Sequence, residues 1–209
     1  MQTFLSCRNA LEHVPKNRKD YGEIAALAVK NYGKALRYVP KARSDYGELA
    51  KVAVQKDGRA LELVPTNRKD YGELAMLAVR EKGMVLRWVP KTRADYGEIA
   101  KIAVQENGMA LEYVPKNRAY YGELAKIAVQ ENGMALEFVP KNRKDFGEIA
   151  KLAVQENNDA LKYVPINHPD LAQILRPAQY DEHYSSDSGD DVPLANNPRA
   201  GLKRVPPLP

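Results

Sequence analysis

Residues 110–134 read Ala-Leu-Glu-Tyr-Val-Pro-Lys-Asn-Arg-Ala-Tyr-Tyr-Gly-Glu-Leu-Ala-Lys-Ile-Ala-Val-Gln-Glu-Asn-Gly-Met, and the phrase returns with small changes every 25 residues. Its Val-Pro pair recurs at Val14-Pro15, Val39-Pro40, Val64-Pro65, Val89-Pro90, Val114-Pro115, Val139-Pro140 and Val164-Pro165. A fixed period of this length marks a solenoid, in which each unit packs only on its neighbours. One unit carries too few large apolar side chains to offset the entropy of ordering its backbone, so stacking must supply the missing burial. The expected fold is an all-α solenoid of about six helix-turn-helix repeats, at 10–34, 35–59, 60–84, 85–109, 110–134 and 135–159. A partial unit follows at 160–168, and a closing helix is expected over 169–178 through Leu171, Ile174 and Leu175. Residues 179–209 read as a disordered tail, acidic at first and then rich in proline.

Two helices fit inside one unit. The longer opens at Asp-Tyr-Gly-Glu or Asp-Phe-Gly-Glu (Asp20, Asp45, Asp70, Asp95, Asp145). There the Asp is expected to accept from a free backbone N–H and the Glu three residues on to reach back, as in a capping box. Tyr96, Ile99, Ala100, Ile102, Ala103 and Val104 follow at helical spacing with extra breadth, so this helix buries much of its circumference. Small residues such as Ala100 and Ala103 let neighbouring units approach closely. Gly33, Gly58, Gly83, Gly108 and Gly133 stand where a left-handed helix cap is expected. A shorter helix then carries Ala110, Leu111, Tyr113 and Val114, and Pro115 ends it by forcing the preceding residue out of helical geometry. Residues 101–125 and 126–150 share 20 identities in 25, so the last units are close copies.

The pattern Ala-Leu-x-Tyr-Val-Pro, Tyr-Gly-Glu-Ile-Ala, Ala-Val-x-x-Asn-Gly over residues 10–168 resembles the helical repeat family called domain of unknown function 4116. Ala128-Val129 and Asn132-Gly133-Met134-Ala135-Leu136 carry the likeness, while the Val-Pro and Tyr-Gly-Glu elements look like a particular variant. The resemblance implies an α-helical repeat protein with no assigned catalytic residues.

Charge is unevenly placed. The chain of 209 residues has a net charge of +5, and residues 169–209 hold four basic against six acidic residues, which leaves +7 on residues 1–168. A single cysteine, Cys7, makes no internal disulfide and demands no oxidising compartment. The start of the sequence lacks the pattern of a signal peptide and no stretch reaches 18 apolar residues, so a cytoplasmic setting without membrane insertion is expected.

The loop after each proline carries arginine at one phase, Arg18, Arg43, Arg68, Arg93, Arg118 and Arg143, with His168 at the seventh. Lys16, Lys41, Lys91, Lys116 and Lys141 stand two residues earlier, and Lys19, Lys69 and Lys144 one residue later. Stacked units would bring these into a basic ridge suited to an acidic protein surface or, alternatively, to the phosphates of nucleic acid. The competing structural reading is that each arginine satisfies helix-terminal carbonyls or pairs with the helix-opening Glu. Tyr38, Trp88, Tyr113, Phe138 and Tyr163 recur on the shorter helix, and apolar Leu63 in the same phase argues that this slot packs in the core.

No catalytic, cofactor or metal-ligand constellation stands out. His13, His168 and His183 lie in different contexts, Cys7 has only Arg8 beside it, and no glycine-rich phosphate loop appears. The end of the chain, Lys203-Arg204-Val205-Pro206-Pro207-Leu208-Pro209, fits an SH3 ligand with Lys203, Pro206 and Pro209 as its contacts. The expectation is a non-enzymatic scaffold that binds a protein through its loop ridge, with nucleic acid as the second reading and oligomeric state left open.

Overall fold

The long helix of each unit starts at the tyrosine of Tyr-Gly-Glu. In the computed structural model, which describes residues 10–175, these helices are α1 (Tyr21–Asn31), α2 (Tyr46–Lys56), α3 (Tyr71–Glu81), α4 (Tyr96–Glu106), α5 (Tyr121–Glu131), α6 (Phe146–Glu156) and the short α7 (Leu171–Ile174). Each of α1 to α6 alternates with a second helical segment of the 3-10 type, such as Gly33–Tyr38, Gly83–Trp88 and Gly108–Tyr113. Among the described residues there is no strand. Successive α-helices pack on one another, successive 3-10 segments do the same, and each of α1 to α6 also touches the 3-10 segments before and after it. No described element packs on one beyond the adjacent unit, as a quasi-one-dimensional array requires.

The shorter element was expected simply as a helix, and its 3-10 form has a reason in the spacing. Gly33, Leu36 and Val39 are all buried, as are Gly58, Leu61 and Val64. A spacing of three places side chains in one eclipsed row along a 3-10 helix, and Ala35 and Ala60, also buried, widen the edge that these segments present to the core. Proline then stops it: Val114, before Pro115, is extended at φ −77° and ψ 125°.

Two local expectations are corrected. None of the eleven described glycines adopts a positive φ, so Gly108 and its equivalents are not left-handed caps. The helix ends instead at an extended residue, Asn107 (φ −156°, ψ 106°), whose N–H donates to Ala103 O at 3.0 Å and whose side-chain oxygen accepts from Met109 N at 3.0 Å. Glycine is required by close approach: a Cβ on Gly58 would lie 2.7 Å from the Ala78 carbonyl oxygen of the next unit, and one on Gly33 2.6 Å from that of Ala53. At 158 the equivalent residue is an exposed asparagine. The second correction concerns the aspartates at the start of each α-helix, none of which makes a side-chain capping bond.

The core is a set of columns, one member per unit: Tyr21, Tyr46, Tyr71, Tyr96, Tyr121 and Phe146; Ala25, Ala50, Ala75, Ala100, Ala125 and Ala150; Leu36, Leu61, Leu86, Leu111 and Leu136. No polar or charged residue is buried among the described residues, and no buried side-chain nitrogen or oxygen lacks a partner. In α7, Ile174 is buried and packs the end of the array, while Leu175 is exposed. The readings placed on 1–9 and on 176–209, including the tail and Lys203, Pro206 and Pro209, lie outside the described residues. No described helix is long and apolar enough to cross a membrane.

Alanine at Gly58 is expected to destabilise the array by about 1–3 kcal/mol, because the added methyl meets rigid backbone. Gly22→Ala should cost less, since its Cβ meets the flexible end of Arg43 at 3.0 Å. Urea denaturation of both variants checks the order.

Candidate partner-binding loops

Each loop is two consecutive tight turns. In the second unit Arg43 N donates to Pro40 O at 3.2 Å, and Tyr46 N to Arg43 O at 3.2 Å. This compact course brings the arginine back over the aspartate two residues later. Arg43 Nε donates to Asp45 Oδ1 at 2.8 Å and its Nη2 to Oδ2 at 2.7 Å. The same two-bond fork joins Arg18 to Asp20, Arg68 to Asp70, Arg93 to Asp95 and Arg143 to Asp145. The aspartate therefore caps no helix because a bidentate guanidinium outcompetes a single backbone N–H. Hydrogen bonding to the guanidinium, set against some desolvation, holds these carboxyls below their ordinary range.

The guanidinium has a second role. Arg43 lies 5.1 Å from the ring centre of Tyr21 in the preceding unit, and Arg68 over Tyr46, Arg93 over Tyr71 and Arg143 over Tyr121 repeat this at 5.0–5.2 Å. The same tyrosines each donate their hydroxyl to a carbonyl 17 residues on: Tyr21 to Tyr38 O, Tyr46 to Leu63 O, Tyr71 to Trp88 O, Tyr96 to Tyr113 O and Tyr121 to Phe138 O, at 2.9–3.2 Å. Burial pushes the Tyr121 hydroxyl up to about 12, so it stays a donor. The glycine after each tyrosine makes room for the fork, since a Cβ on Gly47 would lie 2.8 Å from Asp70 and 2.9 Å from Arg68. A carboxylate against the first turn of a helix is also favoured by the helix dipole.

The expected ridge thus divides into two kinds of cation. Arg43, Arg68, Arg93 and Arg143 are half-buried in slots between units. Arg18 makes the fork at the exposed start of the array. Lys16, Lys41, Lys91, Lys116 and Lys141 are exposed, as are Lys19, Lys69 and Lys144. Arg118 departs from its sisters: Tyr120 replaces the aspartate, and Arg118 Nη2 donates to Lys91 O at 3.0 Å. The Glu residues that were expected to cap do not turn back on their helices. Glu123 accepts from Lys101 at 3.2 Å and Glu148 from Lys126 at 2.6 Å, both across units.

Tyr38, Trp88, Tyr113, Phe138 and Tyr163 are partly buried and packed on the core. His13 is exposed, and His168 takes the arginine position against Phe146, with ring centres 5.1 Å apart. Among the described residues no group of three or more His, Cys, Asp or Glu side chains is placed to hold a metal ion. Sequence reasoning missed the Tyr–Arg–Asp arrangement, although its signal, Arg-x-Asp before Tyr-Gly, is written four times, a fifth time before Phe146-Gly147, and once with Tyr120 for the aspartate.

The forks set a pH dependence. A carboxyl whose folded pKa is depressed contributes stability above its unfolded value near 3.9, and that contribution is lost as pH falls through the folded value. Asp95→Asn should cost about 1 kcal/mol at pH 7, and its difference from the parent should shrink as pH falls below about 4. Denaturant titrations of both proteins at neutral and acid pH measure this.

Neither a curated protein nor a solved structure matches the chain. Residues 122–168, from the second residue of α5 to the histidine that replaces arginine, match the model of a family described as Domain of unknown function (DUF4116), in agreement with the resemblance carried by Asn132-Gly133-Met134-Ala135-Leu136.

Proposed function

We propose that this helical repeat array is a non-enzymatic scaffold that binds an acidic protein surface through the lysines of its stacked loops. The observation behind the reading is what remains after the forks are formed. Loops 15–20, 40–45, 65–70, 90–95, 115–120 and 140–145 hold 14 basic and five acidic residues, a net of +9. All five aspartates are tied to arginines, and the eight lysines point their charge at solvent. Repetition at roughly 10 Å, the spacing of packed helices, is comparable to the Debye length at physiological salt, so neighbouring loops act on a partner together.

A protein is favoured over nucleic acid because sequence-tolerant binding of single strands uses aromatic rings interleaved with the cations. Here the recurrent aromatic side chains pack on the core. The reading carries a cytoplasmic setting, in keeping with the single cysteine.

The test is fluorescence anisotropy with labelled poly-glutamate and with single- and double-stranded oligonucleotides, from about 50 to 200 mM salt. Poly-glutamate should bind the parent, and a variant with Lys41, Lys91, Lys116 and Lys141 changed to Glu should lose that binding while keeping its helical circular dichroism. Tighter binding of oligonucleotides than of poly-glutamate, with a steep salt slope, would replace the protein partner by nucleic acid.

A further inference from the structure

The fifth loop breaks the rule that the other five obey, and it does so in a way that leaves a binding group outside. In the slot where Asp45, Asp70 and Asp145 place carboxylates against the preceding helix, the ring of Tyr120 stands instead. Its Cε1 lies 3.2 Å from the position a Cβ on Gly97 would take. The ring fills the space that a guanidinium and a carboxylate share elsewhere. Arg118 is accordingly exposed, whereas Arg43, Arg68, Arg93 and Arg143 are half-buried. It does not cover the ring of Tyr96 in the way its four sisters cover theirs. It donates to the Lys91 carbonyl at 3.0 Å, and among the described residues no carboxylate lies within ion-pair distance of it.

Beside it is an open groove of about 470 Å³, whose lining includes Thr92, Glu98, Lys101, Arg118, Tyr120 and Leu124, with the Glu98 carboxylate beyond ion-pair distance of Arg118. The half-buried ring of Tyr120 gives it apolar surface next to a planar cation, while Leu124 is buried beneath. Lys101 is engaged by Glu123, and the neighbouring Arg93 by Asp95. The guanidinium of Arg118 is left as the group with unspent donors. Five sister arginines show what the same side chain, on the same loop, takes when it is offered: a carboxylate held by two N–H bonds.

We propose that the Arg118–Tyr120 notch is a carboxylate-docking point at which an acidic side chain of a partner protein supplies the aspartate that position 120 lacks. This rests on the protein-binding reading of the ridge and gives it a register: the lysines attract an acidic segment in any alignment, and Arg118 fixes one carboxylate at one place. Tyr120 contributes the apolar contact beside that carboxylate and keeps the site from being filled from within.

The experiment uses the full chain and a labelled peptide of alternating Asp and Leu residues, with an Asn-for-Asp peptide as control. Affinity is read by anisotropy, and the Arg118 side-chain Nε–H resonance by NMR. Binding of the acidic peptide should shift that resonance and should weaken about tenfold in R118A. In Y120D the internal fork is restored, so thermal stability should rise while peptide affinity falls by a similar factor. A Y120D variant that binds as well as the parent, or a parent Arg118 resonance that does not move at saturation, overturns the notch. If binding then still disappears in the four-lysine variant, the ridge stands without it. If R118A abolishes binding and the lysine changes do not, the notch stands and the ridge falls. An acidic peptide that does not bind the parent at all removes both.

Discussion

A tyrosine hydroxyl taken out of water needs an acceptor, since leaving it without one costs on the order of 1–3 kcal/mol. Tyr21, Tyr46, Tyr71, Tyr96 and Tyr121 all meet this need with the carbonyl of the residue 17 positions on. That single bond ties the start of an α-helix to the end of the 3-10 segment that follows, and so fixes the shape of a unit. Other features follow in order. Except at Tyr96, the outer face of the ring is covered by the arginine of the next unit, that arginine needs a carboxylate, and aspartate two residues later is in reach. The paired groups need space, which the glycine after the tyrosine provides. Tyr-Gly and Arg-x-Asp are thus two halves of one joint, made between successive units. At the far end the joint changes as a whole: Phe146 has no hydroxyl to satisfy, and His168 stands where the arginine would be.

The period, the helix positions, the stop at Val-Pro and the paired alanines were all legible in the sequence, because each depends on residues close together along the chain. What was not legible depends on competing partners, in the same loop or in the neighbouring unit, that the local rules leave out. Asp-Tyr-Gly-Glu satisfies the rule for a capping box, yet the rule considers only the helix that follows, while the competitor is an arginine two residues before. Asn107-Gly108 fits an ordinary turn equally well, and only the carbonyl of Ala128 arriving from the next unit shows that the glycine serves close approach and not handedness. The 3-10 form was not read, since Ala35, Leu36 and Val39 stand three and four apart as in an ordinary helix. Of the site, the basic density was visible; its division into committed arginines and free lysines required the position of each aspartate.

That division follows the chemistry of the two side chains. A guanidinium is planar, lies flat on a ring and presents a fork that matches a carboxylate, so it suits a narrow slot between units. An ammonium on a flexible stem is strongly hydrated and loses little by staying in water, so it suits an outer position where it attracts a partner at a distance. Residues in the same loop therefore hold the array together and charge its surface without competing for the same contacts.

Because contacts reach only the adjacent unit, a change in one joint is felt by two neighbours and no further. The fifth loop illustrates what this permits. Tyr120 removes the fork between the fourth and fifth units, yet Tyr96 still bonds to Tyr113 O at 2.9 Å and the columns of alanine, leucine and valine run through unbroken. In a globular core, replacing a buried charge pair would disturb many packed groups at once. In this array it converts one structural arginine into an exposed one at the cost of a single joint, while neighbours of closely similar sequence keep the fold.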